Sequence, residues 1–200
     1  MLGIEATLRA SGIKTIAGVD EAGRGPCAGP LVIAAVVLKN PDSFALAGVR
    51  DSKLLSEKVR EELFDVIKEE SMSYSIIEIL PGEIDEFGLH ISNLEGMRRA
   101  INSLAITPEY VLTDGYAIDG LAIPSLAVWK GDQVAPSISA ASILAKVYRD
   151  RIMIRLDSEY PEYGFARHKG YVTATHSAAL KKFGVTEIHR KSFSNIAALL

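Results

Sequence analysis

Two apolar runs joined by a glycine- and proline-rich turn limit how this chain can fold more than any other feature. They cover residues 14–19 and 30–38, and both contain isoleucine, valine and alanine in close succession. A strand with one face in water alternates apolar and polar residues, whereas these runs are nearly continuous. We therefore expect a sheet that is buried on both faces.

Further strands and helices follow along the chain. Short apolar or alternating segments predict strands over residues 73–80, 110–113 and 126–129. Apolar residues at helical spacing predict one helix that starts at residue 56. They predict three more helices over residues 91–104, 137–159 and 173–183. About five strands and a mainly helical C-terminal third, with no internal repeat or interdomain linker, make the fold class α/β.

Composition excludes several classes of protein. The chain has 200 residues, of which 48% are hydrophobic and 24% charged, so it can bury one good core and is not disordered. The single cysteine, Cys27, excludes a disulfide framework and a cysteine-only zinc site. The longest uncharged stretch, residues 25–38, is too short to span a bilayer, and no signal peptide is visible. We expect a soluble, cytoplasmic protein.

Charge is unevenly distributed. The formal net charge of −3 argues weakly against a nucleic-acid partner. Residues 146–191, however, carry ten lysines and arginines against five acids, together with three of the four histidines. This distribution is typical of an acidic centre beside a basic track for a polyanion, although a helical region with solvated basic faces has the same composition.

Acidic residues lie at the ends of three predicted strands. Asp20 and Glu21 close the first apolar run, while Asp114 and Asp132 follow two later strands, each beside a glycine. Ligands of open α/β sheets bind at the carboxyl ends of the strands, so we expect these carboxylates to meet there. Such a cluster stays ionised only with cations, and oxygen ligands favour Mg²⁺ or Mn²⁺. Taken singly, each Asp-Gly pair is also an ordinary turn.

The turn behind the first two acids is Gly23-Arg24-Gly25. Its backbone amides and guanidinium suit a phosphate or a sugar. The glycines lack the spacing of a dinucleotide-binding turn, and a strand is predicted to follow, which excludes that class. No Walker A sequence or HExxH zinc motif occurs, and nothing directs a histidine toward a serine or cysteine nucleophile.

Two further segments carry groups that suit a sugar-phosphate ligand. Ser52 and Lys53 lie in a loop just before a predicted helix, where a hydroxyl and an ammonium group can reach phosphate. His168 and Lys169 precede Tyr171, whose ring can stack on a base or a sugar. Each segment alone also has an ordinary explanation, a loop lysine in the first case and a packed tyrosine in the second.

Together these segments closely resemble the ribonuclease HII family, the type 2 ribonucleases H of bacteria. The likeness covers nearly the whole chain in one order, and the combination of motifs is highly specific. The matching stretches are AGVDEAGRGPCAGP (17–30), DSKLLSEKVR (51–60), YVLTDG (110–115), VWKGDQ (128–133), ISAASILAKVYRDR (138–151), YGFARHKGYVTATH (163–176) and GVTEIHRKSF (184–193).

The resemblance implies an RNase H-like fold, with a mixed five-stranded central sheet flanked by helices and a helical C-terminal extension. Residues 1–200 would form a single catalytic domain, in which about residues 160–200 form the extension and contribute substrate contacts. Asp150 is a candidate for the fourth acid of the family, but we interpret it as a helix or ion-pair residue. The family's catalytic acids, which bind two Mg²⁺ or Mn²⁺ ions, fall on Asp20, Glu21, Asp114 and Asp132.

The resemblance also implies how a ribose is recognised. The family's glycine-arginine-glycine turn, here Gly23, Arg24 and Gly25, contacts the ribonucleotide 2′-hydroxyl and nearby phosphates. Its tyrosine, here Tyr171, packs on the next sugar and senses the RNA–DNA junction. The 2′-hydroxyl is the group that separates RNA from DNA at a site. The remaining phosphate contacts are expected from Ser52, Lys53, His168 and Lys169.

The implied activity is endonucleolytic cleavage on the 5′ side of a ribonucleotide, in an RNA–DNA hybrid or in duplex DNA, leaving 3′-hydroxyl and 5′-phosphate ends. Such an enzyme serves ribonucleotide removal and primer processing in DNA repair and replication. No membrane partner is expected, and the lack of a coiled coil favours a monomer. Two alternatives remain open: another two-metal nuclease, such as a junction resolvase, and a non-catalytic hybrid- or metal-binding module.

Overall fold

A computed structural model describes residues 3–46, 48–49 and 55–200; Ser52 and Lys53 lie outside these described residues. The strands are β1 (Ile16–Ala22), β2 (Leu31–Leu38), β3 (Ser71–Ile79), β4 (Tyr110–Asp114) and β5 (Ser125–Val128). The helices are α1 (Ile4–Ala10), α2 (Glu57–Glu69), α3 (Pro81–Phe87), α4 (Leu89–Asn102), α5 (Gly131–Val134), α6 (Pro136–Glu159), α7 (Phe165–His168), α8 (Ala174–Phe183) and α9 (Ser194–Ala197). No helix in this part of the chain is both long and apolar enough to cross a membrane.

The strands form one mixed sheet in the order β3-β2-β1-β4-β5. The pairs β1–β2 and β2–β3 are antiparallel, whereas β1–β4 and β4–β5 are parallel. This arrangement confirms the predicted mixed five-stranded sheet. Because β1 is the central strand and runs parallel to β4, the carboxyl ends of both strands meet at one edge.

Both faces of the sheet are covered, as the continuous apolar runs predict. Every residue of β2 is buried, and successive side chains point to opposite faces. Val32 and Val36 join residues of α2 and α6 in one apolar cluster. Ile33 and Val37 join residues of α4 in a second cluster on the other face. The sheet is therefore the middle layer of three.

The long helix α6 lies directly on the central strand. A side chain at Gly18 would come within 2.1 Å of the Ser137 backbone, so only glycine allows α6 to start this close to β1. The buried carboxylate of Glu5 accepts hydrogen bonds from the Ser137 N–H at 2.8 Å and from its Oγ at 2.7 Å. These bonds satisfy an otherwise unpaired donor in the first turn of α6 and hold that turn against the acidic strand ends.

Some elements differ from the sequence-based expectation. Pairing with β2 continues to Ala22, so Asp20 and Glu21 lie inside β1 rather than after it. The sequence pattern does not predict α1, α3 or α5, because helices of at most seven residues are too short to show a helical period. Helix α4 begins at Leu89, two residues before the predicted start.

The C-terminal third folds back onto the turn between β1 and β2. The Cys27 amide donates to the Gly170 carbonyl at 3.0 Å, and the Gly29 amide donates to the Ile188 carbonyl at 2.8 Å. The Arg190 amide returns a bond of 2.9 Å to the Cys27 carbonyl. Backbone bonds thus join this turn to two segments of the helical extension.

Candidate active site

Three of the predicted acids meet at one edge of the sheet. Asp20 and Glu21 lie near the carboxyl end of β1, and Asp114 is the last residue of β4. Val19 is the parallel partner of Thr113, so the next residues along the two strands, Asp20 and Asp114, are neighbours. The pairing of two distant chain segments therefore creates the acidic group.

Burial and neighbouring negative charge disfavour the ionisation of Asp20 and Glu21. Burial, with the charges of Glu21 and Asp114 adding to it, raises the pKa of Asp20 well above its ordinary value. Burial also raises the pKa of Glu21 to about 7; the Arg24 guanidinium opposes this rise and Asp114 adds to it. The group can carry its full negative charge at neutral pH only beside a cation.

The fourth predicted acid, Asp132, lies in α5, next to the residue that joins this helix to Asp114. The Gly131 amide donates to Asp114 Oδ1 at 2.7 Å, which joins the start of α5 to the end of β4. Asp132 is buried, and its backbone carbonyl accepts a hydrogen bond from the Ser139 hydroxyl of α6. Its side chain does not line the cleft that the other three acids share, so its role as the fourth acid stays a prediction.

The donor set fits a hard divalent cation. Glu21 Oε2 is buried, and the Asn93 side chain is the neutral group whose hydrogen bond lowers the pKa of this carboxyl. Within residues 3–46, 48–49 and 55–200, no three His, Cys, Asp or Glu side chains are arranged to hold an ion by themselves. Mg²⁺ needs no such cage, because it keeps several waters and takes one or two carboxylates together with substrate phosphates.

The acids line a cleft of about 470 Å³. Residues 22–25 and α6 provide much of its lining, and Arg60 comes from α2. Basic side chains therefore stand beside an acidic centre, as a polyanionic substrate requires. The lining residues are Asp20, Glu21, Ala22, Gly23, Arg24, Gly25, Arg60, Asp114, Ser142, Ile143, Lys146, Arg149 and Tyr171.

The glycine-arginine-glycine turn is held in one conformation. Gly23 has a φ of 97°, and a side chain there would lie 2.0 Å from Arg149 Nε, so both backbone and space require glycine. The Arg24 guanidinium lies 4.4 Å from the centroid of the Tyr116 ring, and its Nη1 is 3.9 Å from Glu21 Oε1. Arg24 Nε is buried and donates to no described residue.

The Tyr171 ring faces the same turn. It is half exposed, and a Cβ at Gly25 would lie 3.3 Å from Tyr171 Cε1, so the ring borders the turn directly. The Tyr171 backbone carbonyl is 2.9 Å from His176 Nδ1, and this hydrogen bond fixes the backbone at Tyr171. The structure thus places an exposed aromatic face beside the turn that was predicted to contact a ribose.

A family model for Ribonuclease HII matches residues 17–196. The chain belongs to the ribonuclease HII family. The ribonuclease HII of Salinispora arenicola is 52% identical over 196 residues, covering 98% of this chain and 73% of that protein. The ribonuclease HII of Rhodococcus opacus is 53% identical over 197 residues, covering 98% of this chain and 87% of that protein. The chain is therefore a ribonuclease H, a phosphodiester hydrolase.

Solved structures agree with the family. Ribonuclease H2 from Pyrococcus horikoshii has a TM-score of 0.81 and 32% identity, covering 92% of this chain and 96% of that chain. The PCNA:RNase HII complex from Archaeoglobus fulgidus matches with a TM-score of 0.78 and 28% identity, covering 90% and 95%. Bst-RNase HIII in complex with Mn²⁺, at 18% identity and a TM-score of 0.70, shares the fold. These matches confirm the predicted RNase H-like fold class, and family membership favours a ribonuclease H over both alternatives.

Two further predicted substrate contacts, His168 and Lys169, lie outside the cleft lining. His168 is stacked on His176 with 4.5 Å between ring centroids, and its Nε2 lies 2.8 Å from the Tyr163 carbonyl. Lys169 Nζ lies 3.8 Å from a carboxylate oxygen of Glu57. Both residues support the loop that carries Tyr171, and their contacts with phosphate stay predictions, as do those of Ser52 and Lys53.

Several residues of the cleft have no role in the sequence-based prediction. Arg60, Ser142, Lys146 and Arg149 line it, although the family motifs contain all four. Lys146 is paired with Asp150 at 2.7 Å, in agreement with the interpretation of Asp150 as an ion-pair residue. The sequence carries no comparable signal for Arg149, because α6 is buried on most sides and shows no single apolar face against which a charge would stand out.

Proposed function

We propose that this enzyme is a metal-dependent endoribonuclease that cleaves the RNA strand of RNA–DNA hybrids and the 5′ side of ribonucleotides embedded in duplex DNA. The cut leaves 3′-hydroxyl and 5′-phosphate ends. The observation that carries the proposal is the single cleft lined by Asp20, Glu21, Asp114, the turn of residues 23–25 and Tyr171. Groups suited to cations and groups suited to a ribose are thus close enough to act on one nucleotide.

In this proposal Asp20, Glu21, Asp114 and Asp132 hold two Mg²⁺ or Mn²⁺ ions. Such ions, when bound, supply the charge that activates water and stabilises the leaving oxygen. The raised pKa values of Asp20 and Glu21 keep protons on the acidic group near neutral pH. Ion binding therefore displaces protons, which couples metal affinity to pH.

Recognition of the ribose falls to the turn and to Tyr171. The amides of residues 23–25 offer donors to a 2′-hydroxyl, a group that deoxyribose lacks. The exposed face of Tyr171, next to Gly25, would pack on the sugar that follows the ribonucleotide. Through Tyr171 and Lys169, the extension of about residues 160–200 contributes substrate contacts to the catalytic domain.

Phosphate charge would be neutralised along both sides of the cleft. Arg24, Arg60 and Lys146 lie in its lining, and Lys169 lies behind it on the Tyr171 loop. Ser52, Lys53 and His168 complete the proposed set of phosphate contacts. The cellular roles that fit this activity are the removal of misincorporated ribonucleotides and primer processing in DNA repair and replication, in the cytoplasm.

The test is cleavage of a labelled DNA duplex that contains one ribonucleotide, with Mg²⁺, with Mn²⁺ and with EDTA. We expect one metal-dependent cut on the 5′ side of the ribose and none in an all-DNA duplex of the same sequence. An RNA–DNA hybrid should be cut at many positions, whereas a four-way DNA junction without ribose should stay intact. Cleavage of the junction, or a cut in EDTA, would overturn the proposal.

A further inference from the structure

Two arginines are buried beside the cleft, Arg149 in its lining and Arg190 beneath the turn, and no described carboxylate pairs with either. The exposed fraction is 1% for Arg149 and 0% for Arg190. Among the described residues, neither guanidinium forms an ion pair; both donate to backbone carbonyls. A buried cation is costly unless its donors are satisfied. The free-energy cost of burying these cations indicates that the segment whose carbonyls they bind must keep a defined conformation.

Arg190 binds both ends of the turn between β1 and β2. Its Nη2 donates to the Gly23 carbonyl at 2.7 Å, and its Nη1 donates to the Arg24 carbonyl at 3.1 Å. Its Nε and Nη2 also donate to the Gly29 carbonyl, at 3.1 and 3.0 Å. One planar guanidinium therefore holds three carbonyls of a segment that has no regular secondary structure.

These bonds determine the direction of two peptide planes. In a trans peptide the C=O of one residue and the N–H of the next point in opposite directions, and the described chain contains no cis peptide bond. Because the carbonyls of Gly23 and Arg24 point at Arg190, the amides of Arg24 and Gly25 point away from it. No described backbone oxygen accepts a hydrogen bond from either amide. Both residues line the cleft.

We propose that Arg190 is a positioning residue for ribose recognition: it orients the Gly23–Arg24 and Arg24–Gly25 peptides so that their two N–H groups face the substrate. Its positive charge at the carbonyl end also polarises each peptide and strengthens the amides as donors. Arg190 itself does not touch the substrate. The inference rests on the proposed function and adds a residue that acts through the turn.

The position of Arg190 is itself fixed. Its amide donates to the Cys27 carbonyl at 2.9 Å, and the preceding residue, His189, forms a β-bridge with Ala28. His189 Nε2 lies 3.1 Å from His176 Nε2, inside the buried histidine pair. A side chain anchored in this way can impose a geometry on the turn rather than follow it.

Lysine cannot replace this arginine. An ammonium group offers three donors from one point, whereas the guanidinium presents a flat fork that reaches separate carbonyls at once. Arg190→Lys would keep the charge and most of the packing but leave at least one carbonyl without its donor. The variant therefore tests orientation more than charge. Arg155→Lys, at an exposed position of α6, is the matched control.

The experiment measures binding of two duplexes in EDTA, where neither is cut: one with a single ribonucleotide and one all-DNA. It also measures kcat and KM for the ribonucleotide duplex with Mg²⁺. We expect Arg190→Lys to lower the preference for ribonucleotide over all-DNA binding about 10- to 100-fold, the loss that one or two hydrogen bonds explain. The preference of Arg155→Lys should match that of the unaltered enzyme. Arg190→Lys with an unchanged preference would overturn the proposal.

A failure of the proposed function has a different signature, because the unaltered enzyme would then neither cut nor prefer the ribonucleotide duplex. If Arg190→Lys does not fold, amide hydrogen exchange of the unaltered protein gives the answer. The Arg24 and Gly25 amides should exchange quickly in the free protein and be protected by the ribonucleotide duplex more than by DNA. Amides that are already protected in the free protein would contradict the orientation that Arg190 is proposed to impose.

Discussion

At the scale of single residues, charge crowding governs the acidic centre. Burial and mutual repulsion raise the pKa values of Asp20 and Glu21, so each carboxylate is costly without a counter-ion. Asp114 differs in having a short bond from the Gly131 amide that ties it to α5. Asp114 therefore belongs to the acidic group and also holds α5 in place. Its charge can be removed without loss of the hydrogen bond from the Gly131 amide.

Asp114→Asn should lower kcat on the ribonucleotide duplex on the order of 10³-fold, because it removes a charge that holds the cations. The asparagine Oδ1 can still accept from the Gly131 amide, so the melting temperature should change little. Circular dichroism and cleavage assays measure the two effects. The matched control is Asp119→Asn in an exposed Asp-Gly turn, which should cleave normally. Near-normal turnover by Asp114→Asn would remove Asp114 from the site.

Tyr171→Ala should lose about 10- to 100-fold in kcat/KM on a duplex with one ribonucleotide, since it removes the stacking face beside Gly25. Tyr171→Phe keeps the ring and should stay within about threefold of the unaltered enzyme. The backbone bond to His176 does not depend on the side chain, so the fold should persist. Metal affinity, measured by calorimetry, should be unchanged in both variants. An equal loss of metal binding and cleavage would contradict the stacking role.

At the scale of elements, β1 combines packing and chemistry. Its residues contribute to both covering layers, and it also carries Asp20 and Glu21 at its end. The helix α6 can approach only because Gly18 has no side chain. The distance between β1 and α6 therefore affects both the core and the position of Ser142, which lines the cleft near Asp20.

Gly18→Ala should destabilise the protein by about 3 kcal/mol or more, because the added Cβ would overlap the Ser137 backbone and force α6 outward. Gly82→Ala is the control, since nothing lies within 4 Å of a Cβ there and alanine favours the helix α3. Urea unfolding compares the two variants with the unaltered protein. If Gly18→Ala were as stable as Gly82→Ala, the close contact between the start of α6 and β1 would be contradicted.

The histidine pair joins the C-terminal segment to the Tyr171 loop. His189 Nδ1 accepts from the Thr186 amide at 3.1 Å, and His176 Nδ1 lies 2.9 Å from the Tyr171 carbonyl. With Nδ1 of His176 donating, its Nε2 must accept from the Nε2–H of His189, so both rings are neutral. Burial, with His176 adding to it, lowers the pKa of His189 to about 4.

Acid should therefore weaken the fold through His189. The unfolded state takes up a proton below about pH 6.5, whereas the folded state resists protonation until about pH 4, so stability falls as pH falls through this interval. At pH 5 the loss relative to pH 7.5 should be about 2 kcal/mol by urea unfolding. The titration of Glu21 changes stability in the opposite direction. The quantity to compare is therefore the difference in free energy of unfolding between His189→Gln and the unaltered protein at each pH. A difference that does not change with pH would contradict a neutral buried pair.

At the scale of the whole molecule, the cleft is assembled from β1, β4, α2, α6 and the C-terminal loop. Acidic residues come from the sheet, and most of the basic residues come from the helices. Arg151 of α6 also binds Glu61 of α2, which fixes two of the basic elements to each other. The uneven charge of the sequence becomes, in three dimensions, an acidic centre with basic surroundings.

Metal binding should stabilise the whole protein more at pH 8 than at pH 5.5. Since the folded pKa of Glu21 is raised, the metal-free protein loses stability as pH rises from about 4.5 to about 7. The raised pKa of Asp20 acts in the same direction. Mg²⁺ compensates for this loss only where the carboxyls have given up their protons. We expect a rise in melting temperature on the order of 5 °C at pH 8, and a smaller one at pH 5.5. Chelation of the metal should reverse the rise in melting temperature. Equal rises at pH 8 and pH 5.5 would exclude a coupling between metal binding and proton release.

Much of this arrangement could be predicted from the sequence. Continuous apolar runs predict a sheet covered on both faces, because only burial on both sides tolerates so few polar residues. The acids at the strand ends and the Gly23-Arg24-Gly25 turn are visible as motifs. The short helices α1, α3 and α5 are not, because a period needs more than two turns to show.

Local sequence patterns were enough to predict the layers of the fold, the family and the residue types of the site, because such patterns report local conformation and burial. The side chains that hold the turn became known only from the packing of distant segments. Arg190 lies 166 residues from Arg24 along the chain, and nothing in its local sequence shows that its donors reach that carbonyl. The packing of segments that are distant in sequence determines where the Arg190 guanidinium points and how the turn peptides are oriented. Local sequence patterns carry no information about this orientation.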